Sequence, residues 1–526
     1  MCDHKDVRIG TFNRRRFIQL ASGLISGVSL APGHSAGSDE RGSSQKPNVL
    51  LIIADQMNPL LTGLYGHPVV KTPHLNALAE KGVRFDAAYS PCPLCAPARA
   101  SLVTGRYSSK IGVYDNAAPL GCNQPTLCHY LNLSGYDTVL SGKIHFVGPD
   151  QYHGFQKRLL PNIYPTDFSW TKSRDHKIPR SHARSYLGSA VHVGRSGRNL
   201  EFDERAQSEA LKYLARKGAQ KRQNVSYQPF FLCVSFNFPH EPFWPPQKYW
   251  DMYEDESIEI PKLPPDFEKR HSAMDRWLNR HHGVDKVDLQ KPSSLRRLWR
   301  AYYALVTYID DKVGELVDQL NQNNLVDDTI IIFTSDHGDM LCQKNMVQKR
   351  CFYEPSARVP LVIVRPDAAH KGHVSRTPVS LIDIAPTILD LAGVPASERL
   401  DIDGESLISI LDGRERPQRA VFSEMHSEGV YATCFMIRKG KYKYIYIHEH
   451  DEQLFDLEKD PEEWDNLAHR AEYASIREEL KRSILRKFDP DHIEKQLRES
   501  LEERQFLKKA MQQTGRDWIY QPDKTS

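Results

Sequence analysis

The densest chemistry in the chain lies in the run Pro91-Cys92-Pro93-Leu94-Cys95-Ala96-Pro97-Ala98-Arg99-Ala100-Ser101-Leu102-Val103-Thr104-Gly105-Arg106. Two thiols spaced like Cys92 and Cys95 are candidates for a metal pair or a redox pair. Zinc needs two further ligands, and neither Cys122 and Cys128 nor the scattered histidines supply a matching knuckle. A redox pair would stand directly at a helix start rather than among Pro91, Pro93 and Pro97. Two carboxylates far apart in sequence add a second signal: Asp55 ends the apolar run Val49-Leu50-Leu51-Ile52-Ile53, and Asp336 follows the run Thr329 to Thr334. An aspartate in such a place can cap a helix. As a pair, the two offer hard oxygen ligands to a divalent cation.

Those positions depend on the elements that carry them. Val49 to Ile53, Thr138 to Leu140, Phe230 to Phe236, Thr329 to Thr334 and Leu361 to Val364 are short apolar runs, the pattern of strands buried on both faces. Between them lie helical patterns, the clearest from Leu298 to Leu320 with Tyr302, Val306, Ile309, Val313 and Leu316 on one stripe. The alternation predicts an α/β fold, a mostly parallel sheet flanked by helices. Ligands bind beyond the carboxyl ends of such strands, so Asp55 and Asp336 are expected to share one site. Lys143 and His145 follow one strand, His240 follows another, and Lys349 comes shortly after Asp336. From Ala420 the texture changes to strand-like pieces, Ala420 to Phe422, Ala432 to Ile437 and Tyr442 to Ile447, with a turn at Lys439-Gly440-Lys441. This predicts a smaller antiparallel sheet. Two amphipathic segments follow, one with Ile476, Leu480, Ile484 and Phe488, the other with Ile493, Leu497, Leu501 and Met511. The first reads as a surface helix and the second equally as a subunit contact. Lys172 to Gln223 is basic and irregular, and reads as long loops.

The whole chain has 526 residues, with 70 Lys and Arg against 67 Asp and Glu for a net charge of +3, which excludes a dedicated nucleic-acid binder. Nine cysteines are too few for a disulfide scaffold, and the odd number leaves one without a partner in the chain. Arg14, Arg15 and Arg16 precede Phe17-Ile18 and an apolar stretch to Ala31. That stretch is about 15 residues, short of the about 20 that cross a bilayer, so no stable membrane anchor is expected. Its order of charged, apolar and small residues resembles a twin-arginine export signal. The expected layout is an export signal over 1–36, a linker over 37–46, a catalytic domain over 47–419 and a C-terminal subdomain with a helical extension over 420–526.

Cys95-Ala96-Pro97-Ala98-Arg99 followed by Thr104-Gly105-Arg106 resembles the signature of the type I, formylglycine-dependent sulfatases. The resemblance implies an alkaline-phosphatase-like fold and the conversion of Cys95, which alone has Pro97 and Arg99 at the required spacing, to formylglycine by a maturation enzyme. The hydrate of that aldehyde has one hydroxyl to attack sulfur and a second whose proton can be withdrawn. Arg99, one helical turn on, would hold the hydrate, and a helix start would favour the anion. The resemblance also implies one divalent metal on Asp55, Gln56, Cys95, Asp336 and His337. Calcium is the usual ion of the family; Gln56 and His337 stand where a second Asp and an Asn are commoner, which leaves manganese or magnesium open. By the same resemblance His145 is the base, Lys143 and Lys349 bind sulfate, and His240, with Lys349, protonates the leaving group.

Within the family, Val113 to Ala118, Ser141 to Phe155, Ile163 to Thr171 and Ser356 to Leu361 resemble the choline-sulfatases, as do Leu497 to Ser500 and Trp518 to Pro522. This implies a small sulfate-ester substrate whose quaternary ammonium lies on aromatic faces, with Trp170 as the candidate, Trp518 or Tyr520 as further candidates, and Asn116 reaching the sulfate. A homo-oligomer built through the C-terminal extension is a further expectation. The export signal departs from a cytoplasmic choline pathway and places the protein in the periplasm or cell envelope. An exported carbohydrate sulfatase and a phosphonate monoester or phosphodiester hydrolase are the alternatives. A non-catalytic binding protein is disfavoured because every nucleophile, metal and proton-transfer position is filled.

Overall fold

Asn48–Asp55 is apolar from Val49 to Ala54 and forms a strand with every residue buried. It lies between Phe230–Pro239 and Thr329–Ser335, both parallel to it. Its side chains alternate between two cores. Leu50 and Ile52 face the helix Pro292–Gln322 through Leu298, Leu305 and Ile309, whereas Val49, Leu51 and Ile53 face Leu127, Leu131, Ile384 and Ile388 on the other side. The computed structural model describes residues 46–172, 182–223, 227–367, 370–515 and Trp518. The expected export signal, the linker up to residue 45 and Tyr520 lie outside the described residues. No helix among the described residues is long and apolar enough to cross a membrane.

Across the sheet the strand order is Lys157–Arg158, Asp137–Gly142, Phe230–Pro239, Asn48–Asp55, Thr329–Ser335, Leu361–Val364, Val83–Phe85 and His373–Ser375. Every neighbouring pair is parallel except those made by Leu361–Val364, which runs against both of its neighbours. The α/β expectation holds, with each of the apolar runs folded as a strand.

The expectation of loops from Lys172 to Gln223 is corrected: Arg198–Gln223 is a helix of 26 residues. It buries Phe202, Ala206, Ala210, Tyr213, Leu214 and Lys217 against the Phe230–Pro239 strand and the helix Pro292–Gln322. The buried stripe mixes Ala206 and Ala210 with the polar Asp203, Gln207 and Lys217, so its apolar signal is weak while its helix propensity is high.

The C-terminal region forms a four-stranded antiparallel sheet, Ala420–Met425, Cys434–Lys439, Tyr442–Ile447 and Glu452–Asp456, in chain order. Gly440 takes φ 55° in the tight turn, a conformation that glycine adopts without strain. One face of this sheet, through Val421, Met436 and Ile445, packs on Tyr89, Cys92 and Leu94 beside the cysteine signature. The other face, through Phe435, Ile437 and Tyr444, packs on Leu480 and Ile484 of the helix Ala474–Lys487 and on Ile493, Leu497 and Leu501 of the helix Pro490–Thr514. Both amphipathic stripes are therefore used within the chain. The last helix is also tied down by Arg504, which donates from both terminal nitrogens to Asp115 at 2.7 and 2.9 Å. All eight described cysteines are free thiols.

Breaking a buried ion pair leaves an uncompensated charge, so Arg504→Ala should lower stability by about 3–5 kcal/mol. Urea unfolding checks this, and an unchanged midpoint would show that apolar packing alone holds the last helix.

Candidate functional site

Asp55 is the last residue of the central strand, and Asp336 directly follows its neighbour Thr329–Ser335. The register pairs Ala54 with Ser335, so the two carboxylates emerge side by side. The helix Cys95–Thr104 begins at Cys95 and points its first turn at this edge. Arg99, one turn in, donates from Nε to Asp336 at 2.8 Å and from Nη2 to Asp55 at 2.9 Å. Its Nη1 donates to the Lys143 carbonyl at 2.8 Å and to Ser235 Oγ at 2.7 Å. The ion-paired side chains of Arg99, Asp55 and Asp336 are 0% exposed, so none of their charge is screened by water.

The next strand end supplies Lys143 and His145. Gly142 is required just before them: it sits at φ 110°, and a Cβ there would lie 2.0 Å from the Ser235 carbonyl oxygen. The Lys143 ammonium pairs with Asp55 and stands 4.2 Å from the centroid of the Tyr164 ring. His145, itself at φ 65°, places its ring 5.1 Å from Tyr164 and 5.8 Å from Trp170. Burial pushes its pKa down, and the nearby Cys95 thiol offsets this only in part.

His337 donates from Nδ1 to the Gly338 carbonyl at 3.0 Å, since a carbonyl can only accept. Its Nε2 then faces inward, 3.2 Å from Cys95 Sγ and 3.7 Å from Asp336 Oδ1. Cys95 Sγ lies 3.9 Å from Asp55 Oδ1. Asp55, Cys95, Asp336 and His337 thus present ligand atoms within 4.8 Å of one another, all buried. Two carboxylates and an imidazole whose Nε2 turns inward fit a divalent cation with mixed oxygen and nitrogen ligands.

Gln56 also reaches the site, but its carboxamide is committed elsewhere. Its Nε2 donates to Glu241 at 2.9 Å and Tyr186 at 3.1 Å, and also to Asp339, while its Oε1 accepts from Lys349. The Lys349 ammonium is 3.0 Å from His240 Nε2, whose ring donates from Nδ1 to the Glu241 carbonyl at 2.7 Å. Asn116 uses Oδ1 to accept from the Ala96 amide at 2.9 Å, fixing the helix beside Cys95. Trp170 stands 5.2 Å from Tyr164, and Tyr164 stands 6.1 Å from His240, which makes one aromatic wall. Trp518 packs instead on Phe168, 5.1 Å away.

The two signature cysteines differ in kind. Burial raises the Cys92 thiol well above its usual value, with Glu424 adding to the effect, whereas Cys95 is held well below because Lys143, Lys349 and His337 outweigh its burial. The structure therefore brings together Asp55, Gln56, Cys95, Arg99, Asn116, Lys143, His145, Trp170, His240, Asp336, His337 and Lys349. Sequence reasoning missed Tyr164, Ser235, Glu241 and Asp339. Asp339 and Glu241 each follow closely on a residue already singled out, which was the available signal.

The chain matches the family model Sulfatase over residues 47–394 and the model N-sulphoglucosamine sulphohydrolase, C-terminal, over residues 343–489. It is 42% identical over 432 residues to a choline-sulfatase of Rhizobium meliloti, covering 80% of this chain and 82% of that protein. It is 30% identical over 478 residues to an arylsulfatase of Clostridium perfringens, covering 84% and 95%. Among solved structures it resembles a phosphonate monoester hydrolase of Agrobacterium radiobacter, with TM-score 0.67, 26% identity and coverage of 84% and 95%.

Arg99→Met should destabilise the fold by about 3–5 kcal/mol near neutral pH, because both carboxylates lose the guanidinium they share. Burial already holds Asp336 above its ordinary value, and loss of the guanidinium raises both carboxylates further, so the penalty is full only above their raised folded pKa values and eases as pH falls through them. Urea midpoints at several pH values check this; a loss independent of pH would mean that Arg99 acts by packing.

Proposed function

We propose that this chain, which belongs to the sulfatase family and is a sulfuric ester hydrolase, cleaves a small organic sulfate through an aldehyde hydrate made from Cys95. The observation that carries this is the convergence of Asp55, Cys95, Asp336 and His337 within 4.8 Å. A maturation enzyme would convert Cys95 to formylglycine, whose hydrate supplies one hydroxyl to attack sulfur and another to release sulfate by C–O cleavage. Asp55, Asp336 and His337 would hold one divalent cation, calcium by family habit or else manganese or magnesium, which neutralises sulfate oxygens. Gln56 joins them only by sharing Oε1 with Lys349.

The remaining steps belong to side chains of this chain. Lys143 and Lys349 bind sulfate oxygens and Asn116 fixes the helix that carries the nucleophile. His145, kept neutral by burial, withdraws the proton of the second hydroxyl. His240, in contact with Lys349, protonates the departing alkoxide. Tyr164 and Trp170 offer aromatic faces to a quaternary ammonium, which together with the choline-sulfatase relative supports choline-O-sulfate as substrate. The phosphonate monoester hydrolase likeness supports a second reading, hydrolysis of a phosphonate or phosphodiester at the same centre, and an exported carbohydrate sulfatase is the third. The division into 47–419 and 420–526, export by the twin-arginine signal, and self-association through the exposed Phe506 and Leu507 of the last helix complete the proposal.

Peptide mass should show an aldehyde oxygen in place of the thiol sulfur at Cys95, and Cys95→Ala should abolish turnover where Cys92→Ala leaves much of it. Asp336→Asn should lose metal and activity together; full activity with stoichiometric metal would reduce Asp336 to a cap. Turnover should be compared on choline-O-sulfate, an aryl sulfate, a sulfated sugar and a phosphonate ester.

Cation–π contacts contribute about 0.5–2 kcal/mol, so Trp170→Ala should cost roughly three- to thirtyfold in kcat/KM on choline-O-sulfate and much less on an uncharged aryl sulfate. Equal losses on the two substrates would leave Trp170 a packing residue.

A further inference from the structure

A second group of nitrogen ligands lies apart from the catalytic carboxylates. His182, His281 and His282 each place a ring nitrogen within 4.8 Å of the others. Ring centroids are 5.1 Å apart for His281 and His282, 5.3 Å for His182 and His282, and 6.2 Å for His182 and His281. The Nδ1 atoms of His182 and His282 are 3.4 Å apart. A tetrahedral cation with nitrogen ligands at 2.0–2.1 Å holds neighbouring nitrogens about 3.3 Å apart, so one pair already has the spacing that a shared cation imposes.

We infer that His182, His281 and His282 form a second metal site, for a borderline dication such as zinc. Three imidazoles without a carboxylate favour zinc or its first-row neighbours over calcium and magnesium.

Local physics supports this assignment. His281 and His282 close the helix Ala273–His282, which ends at Gly283 with φ 72°, and a helix C-terminus carries partial negative charge. They are 5% and 1% exposed, and His282 Nε2 has no hydrogen-bond partner among the described residues. Burial first, then Lys172 and Arg350, pushes the His281 pKa down to about 2, and burial followed by Arg350 holds His282 well below its usual value. Both rings are therefore neutral, the form that a metal needs. The cost is the positive charge of Lys172 and Arg350, but each is already paired with Glu428, at 3.3 and 2.7 Å.

Such a cation would have a positioning effect on the catalytic centre. His182 opens the short helical turn His182–Tyr186, and the Tyr186 hydroxyl donates to Asp339 at 2.7 Å and accepts from Gln56 at 3.1 Å. Fixing His182 fixes the turn that holds Gln56.

The full chain, stripped with chelator and reloaded in excess calcium, should be titrated with cobalt(II) and competed with zinc. One further equivalent should bind despite the calcium, with the visible absorption of a nitrogen-ligated tetrahedral site, and zinc should displace it. It should vanish in His281→Ala and in His182→Gln and persist in Asp336→Asn, with near-UV circular dichroism confirming each fold. Should His281→Ala fail to fold, the half-buried His182→Gln decides alone. No calcium-resistant equivalent, one that survives the histidine variants, or one lost in Asp336→Asn would overturn the assignment. None of these outcomes depends on turnover, so the hydrolytic reading stands or falls separately.

Discussion

Everything at the site depends on one buried guanidinium. Asp55 and Asp336 leave adjacent parallel strands at the same level, and two ionised carboxylates out of water would repel strongly. Arg99 reaches both, and it extends from the helix whose first residue is Cys95. The distance from Cys95 to the carboxylates is thus set by one helical turn and one fork of hydrogen bonds. The same fork reaches Ser235 and the Lys143 carbonyl, so the edge formed by Asn48–Asp55, Phe230–Pro239, Asp137–Gly142 and Thr329–Ser335 is locked to that helix as a unit.

The residues that must face this unit are delivered by unusual backbone. Gln56 takes positive φ directly after its strand and His145 three residues after the end of its own, which turns their side chains across the sheet edge. Leu341, Cys342, Lys344, Asn345, Gln348 and Arg350 also have positive φ, in the stretch that presents Lys349. For residues other than glycine, each such conformation costs on the order of 1–3 kcal/mol and persists only where surrounding contacts over-determine it. Here those contacts include Met340 N to the Gln348 carbonyl at 2.7 Å, Arg350 N to the Pro93 carbonyl at 3.1 Å and Arg350 to Glu428. The loop is therefore anchored to the cysteine segment itself.

What the sequence made legible follows from which signals are local. Val49 to Ile53 and Thr329 to Thr334 are apolar on both faces, so their strands, and the placement of Asp55 and Asp336 at one end, could be read directly. Leu298 to Leu320 carried a clear stripe. Arg198–Gln223 did not, because alanine and charge dilute the stripe while the burial that organises it comes from distant elements. The strand Glu452–Asp456 was equally hidden, since only Leu454 and Phe455 mark it as apolar. Within the site, residue types were readable but orientations were not: nothing local tells that Gln56 turns its amide toward Glu241 and Asp339.

Long-range ties show why the C-terminal region is part of the site rather than an appendage. Glu424 accepts from Ser108 Oγ and the Ser109 amide at 2.8 Å, Glu428 accepts from the Asn116 amide at 2.9 Å, and Arg504 holds Asp115. All these ties fall on residues 108–116, the segment whose Asn116 oxygen caps Ala96 next to Cys95. Glu428 also pairs with Arg350 and Lys172, which flank Lys349 and Trp170 respectively. The large sheet therefore fixes the two carboxylates, while the small sheet and last helix brace residues 108–116, Lys172 and Arg350 around the helix that starts at Cys95. Changes in residues 420–515 can then reach that bracing without moving Arg99 from its two carboxylates, because among the described residues the hydrogen bonds of Arg99 go to the large sheet and the loops at its edge.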